Sequence, residues 1–405
     1  MRRTPPRRPF AAALLVASVL APFAASPATA VPSVGADRHA SADRHARRDC
    51  PPDGLGPELT ARLDRAIEDV RREAGIPGLV VGLWMPGRGT YVRATGVADT
   101  ATGAPMRTGF RQRIGSITKT FTVTALLRLV DEGRVGLDDP VSRYVEGVPG
   151  GSRITLRHLA EMRSGLYPYT SDPDFVQALL SDPHRSFTPK ELLAYGFRHA
   201  NTSDPGTTFQ YSNTNLILLG LVVEKAGGMS LPDFVHRRVL RPAGLRRTLF
   251  PTDARFPEPH ARGYTNDTLS GEIEDATDWN PSWAWAAGAM ISDLRDLRRW
   301  AGILADGTLL SPQTQRQRLR FLPTGVPGTS YGLGIFDSGG WIGHNGSLPG
   351  YETVAVHLPS KKATLVLLLN TDVLSAGQEP SSLVARAITE IVTPDNVYDR
   401  PLPAS

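Results

Sequence analysis

Residues 115–133 read GSITKTFTVTALLRLVDEG, and the rest of the 405-residue chain is understood outward from this stretch. Phe121, Val123, Leu126, Leu127 and Val130 fall at helical spacing before Gly133 stops the run, which predicts a helix opened by Ser116. Upstream, a helix is expected over 57–74, then strands over 78–84 and 90–97 joined by a Pro86-Gly87-Arg88-Gly89 turn. Downstream, helical pieces joined by Pro, Gly and Asp loops run to about residue 275. Strands are expected again over 331–336, 341–345, 351–357 and 364–370, then a closing helix over 381–392. Strands at both ends with helices between predict an α+β fold: one antiparallel sheet flanked by helices and interrupted by an all-helical insertion. The expected divisions are an α/β part over 57–110 and 280–395, a helical part over 111–279, and a tail over 396–405. The seam between the two parts is the expected active site.

The chemistry starts at Ser116. Residues i and i+3 share a helical face, so the Lys119 amine can reach the Ser116 hydroxyl. A helix N-terminus adds unpaired N–H groups and a positive partial charge that favour an alkoxide or oxyanion. A serine hydroxyl needs an adjacent proton acceptor, and a lysine serves when burial and a neighbouring cation lower its pKa. The chain has only five lysines, and a random chain of this composition would hold ~0.3 Ser-x-x-Lys matches, so the context of the motif matters. Taken alone, the motif equally fits an N-cap serine with an exposed lysine one turn later.

Two later motifs complete the set. Tyr211-Ser212-Asn213 follows Pro205-Gly206 and precedes an apolar run over 216–223, which puts it in a loop entering a buried helix. It is either a polar turn with Ser212 or Asn213 as helix cap, or a site in which the Tyr211 phenol relays a proton and the Asn213 amide orients Lys119 and the substrate. His344-Asn345-Gly346 lies on a strand between Gly343 and Ser347. It is either a strand end with an exposed histidine, or the strand whose Ser347 N–H joins that of Ser116 in an oxyanion hole, with Gly346 permitting close approach and His344 making a polar contact near Tyr211. Together the motifs read as a serine hydrolase. Gly328-Thr329-Ser330-Tyr331-Gly332 matches a Gly-x-Ser-x-Gly elbow, but a Pro/Gly loop precedes it and a strand-like segment follows, opposite to what an elbow requires. No His-Glu-x-x-His or Cys-x-x-Cys set occurs, so neither a metal nor another cofactor is expected.

Composition bounds the setting. Residues 1–30 carry Arg2, Arg3, Arg7 and Arg8, an apolar run over 10–25 and the small-residue site Ala28-Thr29-Ala30, as in a signal peptide cleaved near Ala30. Export and a secreted protein are therefore expected; Arg7-Arg8 also allows the twin-arginine route. Taking those four arginines from 45 basic residues leaves a nearly neutral remainder against 40 acids, which gives no support to a nucleic-acid partner. No later apolar run is long enough to span a membrane. Residues 31–56 are rich in Ala, Asp, Arg, His and Pro and read as a solvated spacer, in which His39 and His45 could hold a metal only weakly. Cys50, the only cysteine, excludes an intrachain disulfide. Oligomeric state is not legible.

The three motifs, with 154–159, Ser164-Gly165-Leu166, Ser282-Trp283-Ala284, Ala287-Gly288 and Tyr331-Gly332-Leu333-Gly334, resemble the serine β-lactamase and D-alanyl-D-alanine carboxypeptidase superfamily over about 59–392. The resemblance is to its class C and exported carboxypeptidase branch. It implies Ser116 as the acylated nucleophile, Lys119 and Tyr211 sharing the proton transfers, and Trp283 walling the cleft. It further implies a D-alanyl-D-alanine carboxypeptidase acting on peptidoglycan stem peptides, with a β-lactamase, an esterase or a non-catalytic binder of cell-wall fragments as alternatives. The histidine at 344 resembles the carboxypeptidase members most. However, where those members carry a carboxylate-anchoring arginine, this chain has Ile335-Phe336-Asp337-Ser338.

Overall fold

A computed structural model describes residues 54–399. The expected signal peptide, most of the spacer with His39 and His45, and Cys50 lie outside the described residues.

Three strands precede the helical region: β1 (Gly78–Met85), β2 (Gly89–Asp99) and the short β3 (Ala104–Pro105). Within and just after it come β4 (Arg111–Arg113), β5 (Tyr264–Thr265), β6 (Glu274–Asp275) and β7 (Ile291–Asp293). The rest are β8 (Leu322–Pro323), β9 (Thr329–Tyr331), β10 (Phe336–Ser338), β11 (Trp341–Leu348), β12 (Tyr351–Leu358) and β13 (Ala363–Leu369). Nine of them form one antiparallel sheet in the order β3-β2-β1-β13-β12-β11-β10-β9-β8. The N-terminal and C-terminal strands join where β1 pairs with β13, Leu79 opposite Leu369.

Every residue of β1, β12 and β13 is buried, because both faces of the sheet are covered. Side chains alternate between the faces. Leu79, Val81 and Leu83 pack with Leu63 and Ile67 of the helix Pro57–Glu73 and Val384 and Ile388 of the helix Pro380–Val392. Val80 and Trp84 point the other way, into the larger core that holds the helix Thr118–Asp131.

Three sequence expectations change. The strand expected over 331–336 is a hairpin turn: Gly332 N donates to Ile335 O at 2.9 Å, Gly334 has φ +69°, and Phe336 of β10 pairs back onto Tyr331 of β9. The region 111–279 is not all helix. It contains β4, which pairs with β7, and the β5–β6 pair. The outer limits also shift. Leu55 is buried and bonds Thr90 O, and in the expected tail Tyr398 is buried while Trp341 Nε1 donates to Asn396 O. Ser330 lies on β9 with no helix after it, so it is no nucleophile elbow.

Candidate active site

Ser116 sits in the 3-10 turn Gly115–Ile117, directly before the helix Thr118–Asp131. Two glycines allow this turn to touch strand β11 backbone to backbone. Gly115 has φ +51°, and a Cβ on it would lie 2.7 Å from Ser347 N. A Cβ on Gly346 would lie 2.0 Å from Ile114 O and 2.9 Å from Ser116 N. The Ser347 backbone is thus held against the nucleophile turn, and Ser116 and Ser347 line one cleft. That is the arrangement an oxyanion hole built from their two N–H groups requires.

One helical turn on, Lys119 is fully buried, at 0% exposure. Its Nζ lies 2.8 Å from Ser116 Oγ and 2.9 Å from the Ala287 carbonyl oxygen, and 4.8 Å from the centroid of the Tyr211 ring. Backbone carbonyl, hydroxyl and phenol ring together fix the amine beside the nucleophile. Tyr211 stands in the loop just before the helix Asn213–Gly227, a loop held by the Gln210 N bond to Met162 O at 2.8 Å. Asn215 of that helix accepts from Ser164 Oγ at 2.6 Å, tying in the Ser164-Gly165-Leu166 segment. Ser212 occupies the N-cap position, but its side chain makes no capping bond.

The Asn213 amide nitrogen faces Thr170 Oγ1 at 3.5 Å, its Oδ1 is buried without a hydrogen-bond partner, and the residue lines the cleft. The orientation of Lys119 expected of Asn213 comes instead from the Ala287 carbonyl. His344 is buried, at 1% exposure, unlike the exposed strand end that the sequence also allowed. Its Nδ1 faces Asn345 O at 2.5 Å; a carbonyl only accepts, so Nδ1 carries the hydrogen. Nε2 then faces Tyr331 Oη at 3.3 Å, and the ring centroid is 6.2 Å from that of Tyr211. Phe336 fills the adjoining space, 4.8 Å from the His344 ring. Trp283 lines the cleft, and its carbonyl accepts from Tyr169 Oη at 2.6 Å.

The sequence reading missed a supporting layer. Thr118 Oγ1 accepts from Met290 N, Thr120 Oγ1 accepts from Trp300 Nε1, and Thr122 Oγ1 donates to Ala286 O. Thr118 and Thr122 pin the 285–290 backbone against the nucleophile helix and so fix the Ala287 carbonyl, while Thr120 ties that helix to Trp300 of the helix Leu294–Asp306. The signal was present: Thr118, Thr120, Thr122 and Thr124 are poor helix formers concentrated in one buried helix. It also missed Asp267 and Asp372, which line the same cleft of about 340 Å³. Among the described residues no group of three or more His, Cys, Asp or Glu side chains is placed to hold a metal.

Residues 63–387 match the model of the Beta-lactamase family. The chain is 30% identical over 339 residues to a D-aminopeptidase of Cereibacter sphaeroides, covering 80% of this chain and 63% of that protein's own length. It is 26% identical over 305 residues to penicillin-binding protein 4* of Bacillus subtilis, covering 70% of this chain and 65% of that protein. In three dimensions it resembles a D-stereospecific amidohydrolase from a Streptomyces species, with a TM-score of 0.74 and 33% identity over 83% of this chain and 99% of that one.

Proposed function

The chain belongs to the β-lactamase family, and from that premise we propose that it is an exported serine hydrolase cleaving amide bonds beside D-amino acid residues through an acyl-Ser116 intermediate. The observation that carries the reading is the buried Lys119 Nζ at 2.8 Å from Ser116 Oγ. In the acylation step Ser116 Oγ attacks the carbonyl carbon and its proton passes to Lys119, while the N–H groups of Ser116 and Ser347 take the developing oxyanion. Tyr211, whose ring lies against Lys119, relays a proton to the departing amine. Water then attacks the acyl-enzyme, the same groups run in reverse, and Ser116 is restored.

Relatives named for D-residues support the stereochemical part, and stem peptides of peptidoglycan are the natural substrates we favour for an exported enzyme of this kind. A second reading, release of D-alanine from D-alanyl-D-alanine termini, has in its favour the buried His344 and the penicillin-binding relative. Against it, residue 337, in the segment where an arginine would hold the terminal carboxylate, is an aspartate, and Phe336 fills the space beside His344. The test compares D- and L-alanine p-nitroanilides with the wild type and Ser116→Ala, alongside a D-alanyl-D-alanine peptide. Preference for the D-anilide by about tenfold or more, lost in Ser116→Ala, is expected. L-preference or an active Ser116→Ala overturns the proposal, and D-alanine release without anilide turnover moves the assignment to the carboxypeptidase.

A further inference from the structure

We propose that Trp285 is a positioning residue for the acylation step: its ring, seated on the bare backbone at Gly220, holds the Ala287 carbonyl against the Lys119 amine. This rests on the acyl-serine reading above and adds what aims its base.

Among the described residues four non-glycine residues have a positive φ, and two of them stand beside the catalytic groups. Met162, at φ +57°, accepts from Gln210 N, the residue next to Tyr211. Trp285, at φ +28°, opens the one-turn helix Trp285–Gly288, whose Ala287 carbonyl accepts from Lys119 Nζ at 2.9 Å. A bulky aromatic residue takes such a backbone only where its surroundings impose it, and residues held this way cluster at active sites. The surroundings of Trp285 are specific. A Cβ on Gly220 would lie 2.7 Å from Trp285 Cζ3, 2.9 Å from its Cη2 and 2.8 Å from Ala286 Cβ. The far edge of the indole thus rests directly on the helix Asn213–Gly227, at a buried mid-helix glycine that costs helix stability. That helix begins two residues after Tyr211. On its other side the same turn is bonded to the nucleophile helix, where Thr122 Oγ1 donates to Ala286 O at 2.7 Å and Met290 N donates to Thr118 Oγ1 at 3.1 Å. The segment 285–290 is therefore wedged between the helix that carries Lys119 and the helix that follows Tyr211.

The chemical consequence comes from the amine. A neutral amine has two N–H donors and one lone pair. With one N–H given to Ala287 O, the lone pair is left to turn towards Ser116 Oγ, 2.8 Å away. When Oγ attacks, its proton moves to Lys119, and the contact with the Ala287 carbonyl becomes a charge-assisted hydrogen bond. The carbonyl thus holds the transition state more tightly than the ground state. Displacing it slows acylation and leaves substrate binding almost unchanged. The described residues lining the cleft include Trp283, Ala284 and Ala287 but not Trp285, so Trp285 acts through Lys119 rather than on the substrate.

The experiment follows release of p-nitrophenol from p-nitrophenyl butyrate with enzyme in excess, which gives an acylation rate constant and a half-saturation concentration. The wild type, Gly220→Ala and Trp285→Phe are compared, each also in a Lys119→Ala background, with Ser116→Ala alongside and circular dichroism as the check on folding. The Ala286 Cβ has no rotamer, so the methyl of Gly220→Ala must displace the 285–286 backbone. Acylation should slow by about tenfold or more, as for loss of one hydrogen bond to a charged group, with half-saturation unchanged within about twofold. Trp285→Phe, which withdraws Cζ3 and Cη2 from Gly220, should slow it in the same way. In the Lys119→Ala background neither substitution should slow acylation further, whereas a merely structural role slows both backgrounds by the same factor. Wild-type acylation in a folded Gly220→Ala, or in Trp285→Phe where the first variant does not fold, overturns the inference, as does an equal loss in the Lys119→Ala background. Ser116-dependent turnover in those cases leaves the acyl-serine reading standing, whereas equal turnover by Ser116→Ala removes both.

Discussion

A methyl group added at Gly346 would sit 2.0 Å from Ile114 O and 2.9 Å from Ser116 N, so Gly346→Ala must push β11 away from the nucleophile turn. If the N–H of Ser347 serves the oxyanion, kcat should fall on the order of 10²-fold with the fold retained, as for loss of one oxyanion donor. Near-normal turnover with circular dichroism unchanged would mean that the strand gives no such donor. Lys119→Ala should lower turnover by about 10³-fold or more, because it acts as a unit with Ser116. Tyr211→Phe should be severely impaired in single-turnover assays, and an unaltered rate would show that the phenol carries no proton. At this scale Ser116, Lys119 and Tyr211 are readable from sequence because each stands in a short motif and the Ser116–Lys119 contact is set by i, i+3 spacing. Asp267 and Asp372 are not, since they meet only where the chain near Tyr264 runs beside Thr371 in a parallel bridge, more than a hundred residues apart.

Among the elements, the helix Pro173–Ser181 controls the apolar wall of the cleft and depends on its cap. Asp172 Oδ1 accepts from Phe175 N at 2.9 Å, and the same buried carboxylate is bonded by Arg198 and by His199 Nε2. Burial alone would raise its pKa, but the Arg198 and His199 contacts win and hold it well below the usual carboxylate range. The cap is therefore present above the ordinary aspartate range and is lost only as pH falls through the lowered value. Asp172→Ala should cost about 1–2 kcal/mol and raise KM for substrates with an apolar group, read by thermal melting and steady-state kinetics. Unchanged KM would show that this helix does not shape the cleft. Element type was readable where periodicity and caps agree, as in the helices Pro57–Glu73 and Thr118–Asp131. It failed over 331–336, where Tyr331, Leu333, Ile335 and Phe336 imitate a strand while Gly332 and Gly334 fold it into a turn. The pieces β4, β5 and β6 are too short for a period to register, and their pairing is tertiary.

The whole molecule places its nucleophile between a sheet closed by both ends of the chain and a helical region, and a buried acid stands behind the strand at that junction. Glu352 pairs across from Ser347 and is 1% exposed; Ser381 N donates to its Oε2 at 2.7 Å, and its Oε1 has no partner. Burial, then the charges of Glu379 and Asp372, raise its pKa well above the ordinary value. An acid raised on folding stabilises below its unfolded pKa, and the contribution is lost as pH rises through the folded value. Wild-type stability should accordingly fall as pH rises from the ordinary glutamate range towards the raised value, by up to about 1.4 kcal/mol per pH unit, and Glu352→Gln should flatten that fall in melts run from about pH 4 upward. Identical slopes would contradict a protonated Glu352. The sheet and the helical region were readable in outline because strand and helix runs segregate along the chain, whereas this buried acid was not, because only the packed sheet desolvates it. The central claim is acylation of Ser116, and the most direct measurement is the intact mass of the protein quenched in acid milliseconds after mixing with p-nitrophenyl butyrate, beside Ser116→Ala. A transient butyryl adduct on the wild type, mapped to Ser116 and absent from the variant, is the predicted result. Equal adduct formation or equal turnover in Ser116→Ala would contradict it.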